Sequence, residues 1–267
     1  MNRDGSSKGT RLAFTLIELL TSIGILSILI SLLAPSLSGA RQRGRVTKCE
    51  ANVRELAHAT LRYVGQNNDT FPLGADCTDD ECYFWNGHQY LGWNGQQKTP
   101  LDRFWARPVN AELGLDLSPP DQSMARIAQC PNDVGAPGET GTTDSLYFTL
   151  GSSYPLNPIL CQGAHSDWKY RETELGLSQI LQPSRKVLVF DHPAFGMTFD
   201  GFWTAIRPGW HDQNRPAAVV GFIDGHVEYV TGLGTLREWQ WYGEAGGPTF
   251  ANNLANKVDW QVLDSAK

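Results

Sequence analysis

From Leu12 to Ala34 the chain reads LAFTLIELLTSIGILSILISLLA, 23 residues in which Glu18 carries the single charge. A run of this length and composition cannot be a strand or a loop, and it clears the roughly 20 residues a helix needs to cross the hydrocarbon core of a bilayer. It also outlasts the apolar core of a cleavable secretory signal, roughly 7–15 residues. The first expectation is therefore one membrane-spanning helix. Glu18 lies inside it, where an ionised carboxylate costs several kcal/mol and is retained with a partner or a function, so this position calls for a cation.

Pro35 follows the run, and its missing N–H predicts a kink or a short melted segment. Beyond it, Val46, Cys49, Val53, Leu56, Ala57, Thr60, Leu61 and Val64 recur at spacings of three and four, the signature of an amphipathic helix over residues 36–67. At 1.5 Å per residue, a helix from Phe14 to Gln66 would reach roughly 80 Å. Charge divides at the same place. Residues 1–66 hold 9 basic and 4 acidic side chains, residues 67–267 hold 13 and 24. Such an acidic body lacks the clustered Lys and Arg that phosphate binding needs, which argues against a nucleic-acid partner. With 27 Gly and 15 Pro it should be rich in turns, against an all-helical fold.

The segment Ala13-Phe14-Thr15-Leu16-Ile17-Glu18, preceded by Arg3, Lys8 and Arg11 with Asp4 opposing, resembles the signal of type IV prepilins and type II secretion pseudopilins. The resemblance implies a leader, residues 1–13, held in the cytoplasm and cut between Ala13 and Phe14 by prepilin peptidase, with N-methylation of Phe14. Ala13 stands where the family usually has Gly. The resemblance also supplies the cation: Glu18 would pair with the methylated amine of a neighbouring subunit as an assembly residue. Removing one member of such a buried pair strands the other at a cost of about 3–5 kcal/mol. Arg41, Arg43, Arg45 and Lys48 follow the span and by the positive-inside tendency would be cytoplasmic. The leader argues the opposite orientation, and it is preferred because the peptidase works on the cytoplasmic face.

Of five cysteines, none follows a zinc spacing. In an exported body, Cys77 and Cys82 are expected to close a small acidic loop holding Asp79, Asp80 and Glu81. Cys130 with Cys161 is a second expected pair, leaving Cys49 as a buried free thiol. Residues 68–165 read as loops, with an aromatic-rich stretch from Tyr83 to Trp93 that suits core or a subunit interface better than a sugar platform. Lys186–Phe190 reads as a strand ending at Asp191-His192. Ala217–Ile223 and His226–Val230 flank Asp224-Gly225, predicting a hairpin with a two-residue type I′ turn.

A second resemblance rests on Ala128–Asp133, Ser153–Asn157, Pro183–Arg185 and His211 followed by Asp224-Gly225-His226. These are similar to a large bacterial group of prepilin-signal proteins with a C-terminal processing-associated His and Asp-Gly region. Twelve residues separate His211 from Asp224 here, against the group's usual nine. Asp191, His192, His211, Asp212, Asp224 and His226 could converge as metal ligands, but no His-Glu-x-x-His, Gly-x-Ser-x-Gly or Gly-rich phosphate loop is present, and catalysis is not expected. No cofactor is required by this reading. By resemblance to major pseudopilins, calcium could pin a C-terminal loop, with Asp191, Asp200 and Asp224 as its ligands.

The expected fold is α+β and pilin-like: a leader (1–13), an assembly and transmembrane helix (14–35), its amphipathic continuation (36–67) and an exported domain (68–267) with an antiparallel β-sheet and long loops. The expected partners are prepilin peptidase, copies of itself or related pilins in a pseudopilus or pilus-like fibre, and the inner membrane crossed once. The alternatives are a membrane-tethered module binding glycan or protein, and, behind it, a tethered metal hydrolase.

Overall fold

The computed structural model describes residues 15–72, 90–93, 107–115, 122–123, 125–136, 144–157, 160, 176–180, 183–194, 210–212, 214, 217–231, 236–237 and 261–262. Helix α1 is Leu16–Gln66, and the chain divides within it into two units, residues 1–44 and 45–267. Helix α1 is unbroken, so the melted segment expected at Pro35 does not occur. A proline inside a helix removes one hydrogen bond of the ladder, and the ladder on either side carries the helix across.

In the first unit α1 opens with a capping box. Thr15 Oγ1 accepts from the Glu18 N–H (3.3 Å), while Glu18 Oε2 accepts from the Thr15 N–H (2.9 Å) and hydroxyl (2.8 Å), an exchange that satisfies orphan donors at the helix start. Every Leu and Ile from Leu16 to Leu37 is exposed. The hydroxyls among them turn inward: Ser22 donates to the Glu18 carbonyl (2.7 Å), Ser27 to Ile23 (2.7 Å) and Ser31 to Ile28 (2.8 Å). A helix that satisfies its own polar groups and presents apolar side chains outward meets the conditions for an apolar surrounding, and this one is long and apolar enough to cross a membrane.

In the second unit the periodicity does what its spacing implies. Cys49, Val53, Leu56, Ala57, Thr60 and Val64 are buried, and Val46 and Leu61 pack against the core at half-burial. Arg41, Arg43, Arg45 and Lys48 are exposed, a solvated face.

The sheet is antiparallel in the order β1 (Val187–Phe190), β2 (Ala217–Phe222), β3 (Val227–Thr231), so the central strand β2 is buried along its whole length. A register shift between Val187 and Val189 marks a bulge in β1. Its effect is visible in the packing: Leu188 and Val189 both enter the core that α1 joins, whereas Val187 and Phe190 join a second cluster with Ala218, Val220 and Phe222. Strict alternation would not put two adjacent residues on one side, and an inserted residue does. A two-residue pairing of β4 (Leu236–Arg237) with β5 (Gln261–Val262) lies apart from this sheet.

The β2–β3 connection corrects the turn expected from Asp224-Gly225. Phe222 N–H donates to the His226 carbonyl (2.9 Å) and Gly225 N–H to the Phe222 carbonyl (2.9 Å), so the loop has three residues, Ile223 to Gly225. Gly225 alone in it takes positive φ (+89°), whereas a type I′ turn requires it at both central positions. Asp224 instead uses its carboxylate, accepting from the His226 N–H at 3.1 Å, a local bond that competes with the tighter turn.

Helix and sheet meet closely at Gly221. A Cβ there would come within 2.8 Å of Val53 Cγ1 on α1 and 3.2 Å of Val189 Cγ1 on β1. Gly221→Ala is expected to destabilise the domain by about 1–3 kcal/mol through overpacking, read as a Tm roughly 3–8 °C lower in thermal circular dichroism. An unchanged Tm would mean that the helix does not pack on the sheet at this point.

The described part of the aromatic stretch is core: Tyr90 and Leu91 are buried, and Trp93 Nε1 donates to the Tyr147 carbonyl (2.6 Å). Sequence reasoning missed the residue that ties it down. Arg107 is buried and donates to the Leu91 carbonyl and, at 2.7 Å, to that of Leu150. Burial pulls its guanidinium down to about 9, which leaves it charged at neutral pH.

Candidate functional site: a buried disulfide beside a histidine and a carboxylate

Five separate segments deliver polar side chains to one largely buried place. Helix α1 presents Cys49 and Asn52, one turn apart on its buried face. The loop after the 3-10 turn Arg126–Ala128 presents Cys130, Asn132 and Asp133, the strand-like segment 152–157 presents Ser153 and Tyr154, and the end of β1 presents Asp191. His211 comes from the segment before β2.

Cys49 and Cys130 are joined in a disulfide with Cα atoms 5.4 Å apart and 81 positions apart in sequence. This corrects two expectations: Cys130 is not bonded to Cys161, and Cys49 is not a free thiol. Spacing misled because connectivity depends on which chain segments meet in space. Cys161, Cys77 and Cys82 lie outside the described residues, as do Ala13, Phe14 and Asp200.

Around the disulfide runs a chain of hydrogen bonds. Asn52 Nδ2 donates to the Gln129 carbonyl (2.9 Å) and the Tyr154 hydroxyl oxygen (3.2 Å). Burial pushes the Tyr154 phenol well above its ordinary range, so it stays protonated. Cys130 N–H donates to Ser153 Oγ (3.0 Å), which donates to Asp133 Oδ2 (2.6 Å). Asp133 also accepts from the N–H groups of Gly135, Leu146 and Tyr147, each at 2.9 Å. The last two belong to the first turn of α2 (Leu146–Leu150), where an acceptor satisfies donors the helix cannot. Burial pushes the Asp133 carboxyl up, and the bonds from Ser153, Tyr147, Gly135 and Leu146 pull against it.

His211 is held at both ring nitrogens. Asn132 Nδ2 donates to Nδ1 at 2.9 Å, which makes Nε2 the protonated nitrogen, and Nε2 donates to Asp191 Oδ2. The same Asp191 oxygen accepts from the Val219 N–H of β2 (2.9 Å), while its Oδ1 is buried with no hydrogen-bond partner among the described residues. Nε2 also lies 3.9 Å from Cys130 Sγ.

Chemically, the ring is committed on both sides and Ser153 gives its proton to Asp133, so no hydroxyl nucleophile is paired with a histidine base here. Cys49, Cys130 and His211 place three ligand-type atoms within 4.8 Å of one another. Sulfurs bonded to each other are not thiolates, however, and only the dithiol form could ligate a metal. In this structure the cluster is a cross-link with a polar support.

The other candidate residues go elsewhere. His192 is buried and stacks on Trp210 (6.2 Å between ring centroids), and Asp212 accepts from the Asn214 N–H (2.8 Å). Asp224 contacts His226 Nδ1 in the partly exposed β2–β3 loop, where the His226 ring stacks on Phe222. Asp191 and Asp224 therefore sit in different settings, one interior and one at a loop, and His211 and Asp224-Gly225 form no common site. Asn52, Asn132, Asp133 and Ser153 were not singled out from sequence as site residues. Three of them nonetheless stand in the segments that carried the second resemblance. Comparison with protein-family models, with curated proteins and with solved structures finds no match for this chain.

Proposed function

We propose that this chain is a pilin- or pseudopilin-like subunit that is processed before Phe14 and assembles through its N-terminal helix into a fibre. One observation carries the reading: a single helix whose first half is apolar and exposed and whose second half supplies the buried face of a domain core. An ordinary tether needs no such continuity, since a flexible linker serves it as well. Glu18 adds support, because a carboxylate in an apolar run has to be matched by a cation that an isolated anchor would not bring. The Thr15 cap gives Glu18 a local partner before any subunit arrives. In a fibre its carboxylate would take the methylated amine of a neighbour, in a type II secretion pseudopilus or a type IV pilus-like filament of the inner membrane.

The test is the N-terminal residue and intact mass of the protein purified from membranes of a host with active prepilin peptidase. The expected chain begins at N-methylated Phe14; one that keeps residues 1–13 would overturn the proposal in favour of a tethered binding module. Glu18→Gln is expected to leave the Tm of the domain unchanged and to cut the yield of sedimentable fibre at least about ten-fold, the consequence of an unmatched amine in an apolar surrounding.

A further inference from the structure

We propose that Cys49, Cys130, His211 and Asp191 form a zinc site in the dithiol state of this chain, so that a metal ion fastens α1 to the domain before the disulfide closes. This does not depend on the filament reading. Cysteines enter a chain as thiols, and these two come from α1 and from the loop after Ala128, with His211 arriving from a third segment. Each of the three offers one ligand atom, and those atoms lie within 4.8 Å of one another, Cys130 Sγ being 3.9 Å from His211 Nε2. In a tetrahedral zinc centre, bonds of about 2.3 Å to sulfur and about 2.0 Å to nitrogen set neighbouring ligand atoms about 3.5–3.8 Å apart. The two sulfurs move toward that separation once the bond between them is gone, because unbonded sulfur atoms repel at shorter range.

The fourth ligand is the observation that points to an ion. Asp191 is fully buried, bonds His211 Nε2 through Oδ2 and keeps Oδ1 without a hydrogen-bond partner among the described residues. An unmatched carboxylate oxygen in the interior is costly, and a cation held beside Nε2 would match it. The proton of His211 makes way without leaving the ring. It moves from Nε2 to Nδ1, where Asn132 turns its amide to accept it through Oδ1, the kind of outer hydrogen bond that orients a ligating histidine. The two thiols release one proton each as the ion binds. Oxidation then exchanges one cross-link for the other: the thiolates pass two electrons to a carrier disulfide, which takes up two protons to become a dithiol, the Cys49–Cys130 bond forms and Zn²⁺ departs. Thiolate and imidazole favour zinc over calcium or magnesium. Four protein ligands leave no position for water, so the site would be structural and not hydrolytic.

The experiment uses the full chain in detergent micelles, reduced with a phosphine that is then removed under anaerobic conditions. One equivalent of Zn²⁺ is expected to slow iodoacetamide labelling of Cys49 and Cys130 at least about ten-fold, read by peptide mass mapping, with Cys77, Cys82 and Cys161 labelled as before. Where burial already shields both thiols, Co²⁺ as the probe decides. It should bind once per chain with the strong visible bands of a four-coordinate ion and with thiolate-to-metal charge transfer. Cys49→Ser and Cys130→Ser should abolish that spectrum. His211→Gln should weaken binding at least about 100-fold and Asp191→Asn at least about ten-fold, with the disulfide-bonded form of each variant showing by near-ultraviolet circular dichroism that the fold is retained. Absence of the spectrum from the native dithiol chain, bands of a six-coordinate ion, or binding that survives Cys49→Ser or His211→Gln overturns the proposal.

Discussion

Cys49→Ala and Cys130→Ala are each expected to lower the stability of the domain by about 4–5 kcal/mol, the loop-closure entropy returned to the unfolded chain when a cross-link over some eighty residues is lost. For a domain of this size the change corresponds to a Tm roughly 10–15 °C lower, measured by thermal circular dichroism of the full chain under non-reducing conditions. The two variants should agree, because each destroys the same bond. A large loss with Cys161→Ala and none with Cys49→Ala would restore the pairing expected from sequence spacing. The bond matters beyond its energy because it fastens α1 to the loop bearing Asn132, which holds His211 at Nδ1.

Asp133→Ala carries the second large effect, about 3–5 kcal/mol, because three backbone N–H groups and the Ser153 hydroxyl lose their acceptor in a partly buried place. Asp133→Asn keeps one oxygen for those donors and should cost about half as much. The difference between the two variants separates hydrogen bonding from charge. Amide exchange adds a local reading: protection at Leu146 and Tyr147, the first turn of α2, should fall by more than at Val219 in the central strand. An alanine variant within about 1 kcal/mol of the native chain would show that the donors find other acceptors.

Parts of this architecture could be read directly from residue spacing. All eight periodic positions from Val46 to Val64 face the core or its margin, since a helix repeats every 3.6 residues whatever it packs against. The strands at Val187–Phe190 and Ala217–Phe222 announce themselves by their apolar runs, and the hairpin by Asp224-Gly225 between the second of these and the Val- and Tyr-bearing segment that follows. The details decided by competing local bonds were not legible. Asp224 could belong to a two-residue turn or cap a three-residue one, and its side-chain bond to the His226 N–H goes with the second. The bulge in β1 leaves no trace in a sequence where all four residues are apolar.

The site shows the same division more sharply. His211 and Asp191 are both candidates by sequence, yet sequence offers no reason to prefer this pair over His226 and Asp224, which also touch. Burial separates them: the first pair is enclosed and supported by Asn132 and Val219, while the second sits in a partly exposed loop.

What the sequence determined by itself was the long apolar helix, the periodic face that follows it and the strands of the sheet. Those depend on near-neighbour chemistry and on the transfer of side chains out of water, both written in consecutive residues. Which cysteine meets Cys130, which carboxylate meets His211 and which donors converge on Asp133 were decided only by tertiary structure. Each of those contacts joins segments many residues apart, and their meeting is set by how α1, the sheet and the intervening loops fill one core.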